Sequence, residues 1–362
     1  MAPVATWKLA LTTLPSSTAA QATVNFLDKP SEVTYTRRRN SYCELTCSVQ
    51  NVDDLTAVQG QAYKRCLLAY RNGVLRFNGQ IVDYRETKDS IEFTAKDPFY
   101  NMSWRRVWHD PGYTGLDTAE VAARLIEEQN SYTNSALYPN PRTTFLRRGT
   151  IGAVPDAVFD WKFSDGDVVA EKIVYLARVP NSFLFTIDPV DGETDYLGVF
   201  NAHSSYDTVQ AKAMFQFGVG TLDNCVDYQR VSVPLVSKAN IVGDNGKVAS
   251  AESVSGTDNF GRWEDERGQV AIDDEAQLKA IADDYVMDNV QYAVSLACGP
   301  ECPQLFTDFD VTDKVPVAIR RRGATIAANM PVYKAVIKLD PDSGAESLDE
   351  LVIVDEDAGD AP

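Results

Sequence analysis

The chain has 362 residues and a mass of 39.9 kDa, room for two or three domains at roughly 100–200 residues each. Its 52 acidic and 34 basic side chains give a formal charge of −18, the reverse of what a grip on DNA phosphates or an anionic membrane needs. An apolar fraction of 44% with 10% aromatics provides for a packed core and excludes a disordered chain.

The first hundred residues read mainly as strands. Trp7, Leu9 and Leu11 alternate with Lys8 and Ala10, the period of a strand. The run 66–70 leads through Asn72-Gly73 into 74–77, a hairpin signal because both turn positions favour positive φ. Asn78-Gly79 and Ile81 follow, then a turn at 88–90, a strand at 91–95, and Asp97-Pro98 as the close. Short antiparallel strands at this spacing indicate a sandwich or barrel.

The middle, about 99–217, is mixed. Asp117 is placed to cap a helix, with Glu120 as its capping-box partner and Val121, Ala122, Leu125 and Ile126 on one face. Residues 132–148 read as loop, and 167–177 as a second helix. Phe183, Phe185 and Ile187 form a strand that turns at Asp191-Gly192 and returns through Tyr196 and Phe200. The last third resumes strands at 225–231, 240–243, 292–297, 315–319, 332–339 and 351–354. A polar loop is expected over 250–268, a helix capped by Asp273, and a turn at 341–344. The acidic tail 356–362 has no apolar anchor and is expected to fray. The opening Met1-Ala2-Pro3-Val4 lacks a basic-then-apolar pattern, so no signal peptide is expected. With no run of about 18 apolar residues, no transmembrane helix is expected either.

No nucleophile elbow, phosphate loop, His-Glu-x-x-His pair or dinucleotide fingerprint occurs, so no catalytic residue, cofactor or metal is assigned. Of the two histidines, His109 reads as structural and His203 as exposed in a polar turn. Cys43 and Cys47, like Cys298 and Cys302, are spaced four apart. Four thiols could make a tetrahedral zinc site, but strand residues four apart lie about 13 Å from each other. Free thiols are the preferred reading, with a local Cys298–Cys302 disulfide sterically open. Six cysteines in so long a chain are not a disulfide scaffold, and a reducing cytoplasm is the expected birthplace. The acidic turns 188–195 and 340–346 resemble calcium-loop fragments but lie between strands, so hairpin turns are expected. Trp263-Glu264-Asp265-Glu266 offers a carboxylate pair beside an aromatic, against the plainer reading of a solvated charged stretch. Arginines cluster at Arg37, Arg38 and Arg39, at Arg105 and Arg106, at Arg147 and Arg148, and at Arg320, Arg321 and Arg322. In so acidic a chain they suit carboxylates of neighbouring subunits better than nucleic acid; ordinary surface solubility accounts for some of them.

Three stretches taken in order resemble one family. The first is Tyr70-Arg71-Asn72-Gly73, then Phe77-x-Gly79-x-Ile81, ending in Asp97-Pro98-Phe99. The second is Phe217-Gly218-Val219-Gly220-Thr221-Leu222-Asp223-Asn224, running on to Asn240-Ile241-Val242-Gly243. The third is Val315-Pro316-Val317-Ala318-Ile319, then Tyr333-Lys334-Ala335-Val336-Ile337 and Gly344-Ala345-Glu346. Their order and spacing resemble the minor tail proteins of long-tailed bacteriophages that form the baseplate or tail-tip hub.

The resemblance implies a mainly β fold: two tail-tube-type antiparallel β-barrel domains, 1–100 and 218–355, joined by a smaller α/β domain, 101–217. It implies a homotrimeric ring that continues the tail tube, anchors distal tail or receptor-binding proteins and surrounds the DNA exit channel. Tail tube or distal tail protein, tape measure protein and other minor tail proteins are the partners it implies. It further implies a structural protein without enzymatic activity, made in the host cytoplasm and placed at the distal end of the virion tail, with DNA passing through unbound. Arg37, Arg38, Arg39, Arg105, Arg106, Arg320, Arg321 and Arg322 are the candidate subunit or partner contacts. A β-rich carbohydrate-active enzyme and a receptor- or sugar-binding module are the competing readings.

Overall fold

The computed structural model describes residues 5–16, 18–27, 30–50, 62–107, 112–131, 144–155, 157–177, 182–204, 209–220, 223–232, 236–243, 246–260, 262–267, 275–286, 292–321, 324–340 and 345–355. Seven strands come first: β1 (Trp7–Thr13), β2 (Thr23–Leu27), β3 (Pro30–Arg38), β4 (Glu44–Gln50), β5 (Arg65–Arg71), β6 (Val74–Glu86) and β7 (Ser90–Lys96). The middle follows with α1 (Phe99–Met102), β8 (Tyr113–Asp117), α2 (Thr118–Ser131), β9 (Leu146–Ile151), β10 (Val158–Trp161), α3 (Val169–Leu176), β11 (Leu184–Pro189) and β12 (Gly198–His203). Then come β13 (Phe215–Phe217), β14 (Cys225–Ser232), β15 (Lys238–Val242), β16 (Val248–Glu252), α4 (Val254–Phe260), β17 (Glu264–Arg267) and α5 (Glu275–Tyr285). The chain ends with β18 (Tyr292–Cys298), β19 (Lys314–Arg321), β20 (Ala324–Leu339) and β21 (Glu346–Asp355).

The expected hairpin forms between β5 and β6, with Asn72 at φ 52° and Gly73 at φ 78°. β6 then changes partner: Cys66 pairs with Gln80 on one side and Lys96 with Gln80 on the other. Gly79 sits at that changeover, where a Cβ would lie 2.5 Å from the Lys96 carbonyl oxygen. Only a residue without a side chain admits that approach.

The resemblance implied two barrels, 1–100 and 218–355. Among the described residues the first seven strands and the last four, together with β13 and β14, belong to one 13-stranded sheet. It runs from β14 through β18, β21, β20, β3, β4, β7, β6, β5 and β1 to β2, with β19 on β20 and β13 on β19. The two modules meet where β20 pairs with β3, from Lys334 opposite Arg38 to Leu339 opposite Val33. β20 serves both: its first half pairs with β19, its second lies between β3 and β21. Pro331, which has no N–H to donate, stands opposite Lys314 at the end of the β19 ladder.

One apolar core underlies this sheet. Leu9, Tyr35, Leu45, Phe77 and Phe93 of the first module share it with Phe215, Val294, Val317, Ile337 and Leu351 of the second. Each such side chain contributes about 1.5–3 kcal/mol on burial, so parting the modules would expose a large apolar face.

A second core holds the middle together. It joins α2, α3 and the three-stranded sheet of β9, β11 and β12 through Leu125, Ile173, Phe185 and Phe200. Ile241, Ala249, Ala251, Leu278, Ile281 and Ala282 belong to this core as well. β15, β16 and α5, which the resemblance placed in the second barrel domain, therefore pack with the middle. Strands β15, β16 and β17 make a separate sheet under α5. The stretch 250–268, expected as loop, holds the end of β16, α4 and β17. Ser253 caps α4, its Oγ accepting from the Gly256 N–H at 2.8 Å.

Candidate functional site

Three polar contacts fasten the two modules and the middle to one another. Arg71, at the end of β5, ion-pairs with Glu346 of β21 at 2.6 Å and donates to Thr307 and Gln304. Trp7 Nε1 donates to the same carboxylate at 2.8 Å. Both Arg71 and Glu346 are buried, so removing either strands a charge in the core, a far larger cost than losing a surface pair. Arg37 of β3 reaches Asp310 at 3.2 Å, Asp188 at 3.4 Å and the Ile187 carbonyl at 3.2 Å. Asn40, just after β3, and Phe185 of β11 exchange backbone and side-chain hydrogen bonds.

The arginines differ in their surroundings within the chain. Arg37, expected as a subunit contact, is buried on carboxylates of its own chain. Arg39 is also buried, its guanidinium 5.9 Å from the Tyr333 ring centre. Strand alternation explains both: β3 is covered on the face that Val33, Tyr35 and Arg37 share. Arg38, on the opposite face, lies half-buried with its guanidinium 5.8 Å from the Tyr42 ring. Arg106 donates to the backbone carbonyls of Ser103 and Arg105, and Arg105 is half-buried beside it. Arg320 is exposed on β19; Arg321 pairs with Ala324 through its backbone, and Arg322 lies outside the described residues. Arg147 and Arg148 lie on β9, where 132–148 was read as loop, and pair with Glu193 and Glu120.

The acidic motifs disperse in the same way. Asp188 faces Arg37 and Asn201, and Asp191 accepts from the Tyr70 hydroxyl at 2.5 Å. Glu346 is held by Arg71 and Trp7, while 341–344 lie outside the described residues, as do His109 and Asp273. Glu264 sits on β17, hydrogen-bonded to Lys238 and paired with Arg262, which holds its carboxyl below the usual range. A general acid for glycoside cleavage needs the opposite shift. His203 ends β12, its Nε2 3.3 Å from the Thr186 hydroxyl.

The two ends of the large sheet stand out. β2 exposes Val24 and Phe26. β14 is exposed on both faces: of its eight residues only Cys225 is buried, and Val226 is 66% and Val231 50% exposed. An edge strand with apolar side chains is a template for pairing with another chain.

Cys225 was not singled out by sequence, yet it starts β14 directly opposite Cys298, the last residue of β18. Cys302, in the turn after β18, brings its Sγ to 4.0 Å from that of Cys225. The three sulfurs all lie within 4.8 Å of one another. The hydrogen bonds offered by Cys225 and Cys298 hold the Cys302 thiol far below its ordinary range, whereas those contacts and burial push Cys298 up. Cys43 and Cys47 lie apart from this group, buried in the first module's core.

No family model and no curated protein matches the chain. Solved structures do. The tail protein from Neisseria meningitidis MC58 superposes with a TM-score of 0.58 at 10% identity, over 98% of each chain. The 43 kDa tail protein of prophage MuSo2 from Shewanella oneidensis gives 0.59 at 12% identity, over 96% of this chain and 97% of its own. A Francisella PdpA–VgrG complex gives 0.53 at 8% identity, over 97% of this chain and 58% of that one. The chain thus has the fold of phage tail proteins, as its resemblance implied. Among the described residues no helix is long and apolar enough to cross a membrane.

Proposed function

We propose that this chain is the hub of a bacteriophage tail tip. Three copies close into a ring that continues the tail tube, anchors distal tail and receptor-binding proteins, and surrounds the DNA exit channel. The observation that carries this reading is the single sheet with two exposed ends. If β2 of one copy pairs with β14 of the next, the contact is head-to-tail, and such contacts close into a ring when the rotation between copies is a third of a turn. Each copy then supplies two tube-type modules, already joined to each other through β3 and β20.

The hub acts as structure and not as a catalyst. Its most enzyme-like feature, the carboxylates around Glu264, is occupied by Lys238 and Arg262. If much of the chain's negative charge lines the channel, DNA passes through the ring without specific contacts. Three chains carry 3 × −18 = −54, and like charge leaves DNA no counterion release to gain.

The test is the purified full chain by light scattering and electron microscopy, with antibody labelling of virions. Threefold rings with a central channel, and label at the distal tail, are expected. A chain monomeric at every concentration, or absent from virions, overturns the reading.

A further inference from the structure

The turn after β18 is built to bring its sulfur back to β14. The Gly299 N–H donates to the Asn224 carbonyl at 2.8 Å, and the Cys302 N–H to the Gly299 carbonyl at 3.1 Å. A Cβ on residue 299 would itself lie 2.8 Å from the Asn224 oxygen, so glycine permits the close approach. Cys302 Sγ then lies 3.0 Å from the same carbonyl, on the side where Cys225 and Cys298 face each other.

Distances separate the two chemistries open to three thiols. A disulfide needs sulfurs at about 2.05 Å, which asks for roughly 2 Å of closure and an oxidant. A metal bound at about 2.3 Å holds tetrahedral sulfurs some 3.8 Å apart and trigonal ones some 4.0 Å apart. The Cys225–Cys302 separation is already 4.0 Å, and the widest pair is at most 4.8 Å. Side-chain rotation of under about 1 Å completes the metal geometry. Cys298 and Cys302 are only half-buried, which leaves an ion a way in.

We propose that Cys225, Cys298 and Cys302 bind one thiophilic closed-shell ion per chain, Zn(II) or Cu(I). All-sulfur donors select these ions over hard cations. As each metal–sulfur bond forms, its thiol proton leaves to solvent and no electron is transferred. The ion clips the exposed edge strand β14 to the β18 turn. This site stands whether or not the chain forms a ring.

The test uses the full chain, purified reduced and without oxygen. Zn(II) is titrated in competition with a chromophoric chelator, and Cu(I) with a copper(I) chelator. Cd(II) reports thiolate bonds by its ultraviolet charge-transfer band. One ion per chain is expected, and elemental analysis of the chain purified without added metal names the native one. Cys298→Ser and Cys302→Ser each weaken binding by at least about tenfold. Should a serine variant fail to fold, alkylation of the unmodified chain carries the same test: the bound ion must shield Cys298 and Cys302 from iodoacetamide. Sub-stoichiometric binding of both ions, unchanged alkylation at saturating metal, or a disulfide among the three in the reduced preparation overturns the proposal.

Discussion

Asp97 shows how much one side chain carries at the joint between the first module and the middle. Its carboxylate accepts from the Cys43 N–H at 2.6 Å and the Phe99 N–H at 3.0 Å, so it pins both the start of β4 and the start of α1. Burial pushes its pKa up to about 7, outweighing those two donors. The sign of the consequence follows. The folded chain keeps this proton up to about pH 7, whereas the unfolded chain loses it near pH 4. Between those values the native state binds more protons, so this group's share of stability falls as pH rises, by at most about 4 kcal/mol. Glu120 and Glu350, held below their usual range, act at lower pH and in the opposite sense. Urea midpoints taken from pH 5 to pH 8 are therefore expected to fall in the parent relative to Asp97→Asn. A parent-minus-variant difference that ignores pH would show that Asp97 is not the titrating group.

At the scale of elements, what sequence reveals is what local chemistry dictates. Asn72-Gly73 announced its hairpin because both positions need positive φ, and Asp117 announced α2 because its Oδ1 accepts from the Glu120 N–H at 2.8 Å. Glu120 itself turns to Arg148 and Arg124, which no local pattern foretells. The start of β9 and the end of β16 fell in stretches read as loop for the same reason. Leu-Arg-Arg-Gly-Thr-Ile has only two large apolar residues, and its strand exists through parallel pairing with β12. β16 buries only Ala249 and Ala251, too small to make a visible alternation. Cys225 escaped notice because its partners lie more than seventy residues on; long-range pairing alone brings the three thiols together. Strand alternation turned Arg37 and Arg39 inward, which a run of like charges does not announce. Exposed edges, in contrast, offer a direct test of the ring. Lysine at Val226 or at Val24 would place a charge inside the proposed β2–β14 seam while altering an exposed position of the single chain. Both variants are expected to keep the parent's melting temperature, because exposed substitutions cost within about 0.5 kcal/mol. Both are expected to sediment as monomers under conditions in which the parent sediments as the proposed trimer. Trimers unaffected by both changes would place the seam elsewhere.

For the molecule as a whole, the question is how chains of like charge stay together. In the proposed ring three copies would bring 3 × −18 = −54 together, a self-repulsion that low salt leaves unscreened. The Debye length shrinks from about 30 Å at 0.01 M to about 8 Å at 0.15 M ionic strength, so added salt weakens repulsion across a seam. Hydrogen bonds between strands and contacts between Val24, Phe26, Val226 and Val231 are nearly indifferent to salt over that range. A ring sealed by strand pairing is therefore expected to assemble more tightly as salt rises. A ring sealed by arginine–carboxylate bridges, with the exposed Arg320 reaching a neighbour, would loosen instead. The burial of Arg37 and Arg39 and the intramolecular pairing of Arg147 and Arg148 favour the first behaviour. Sedimentation at the two ionic strengths decides between them: a trimer dissociation constant that falls with salt supports the strand seam, and one that rises assigns the interface to arginines.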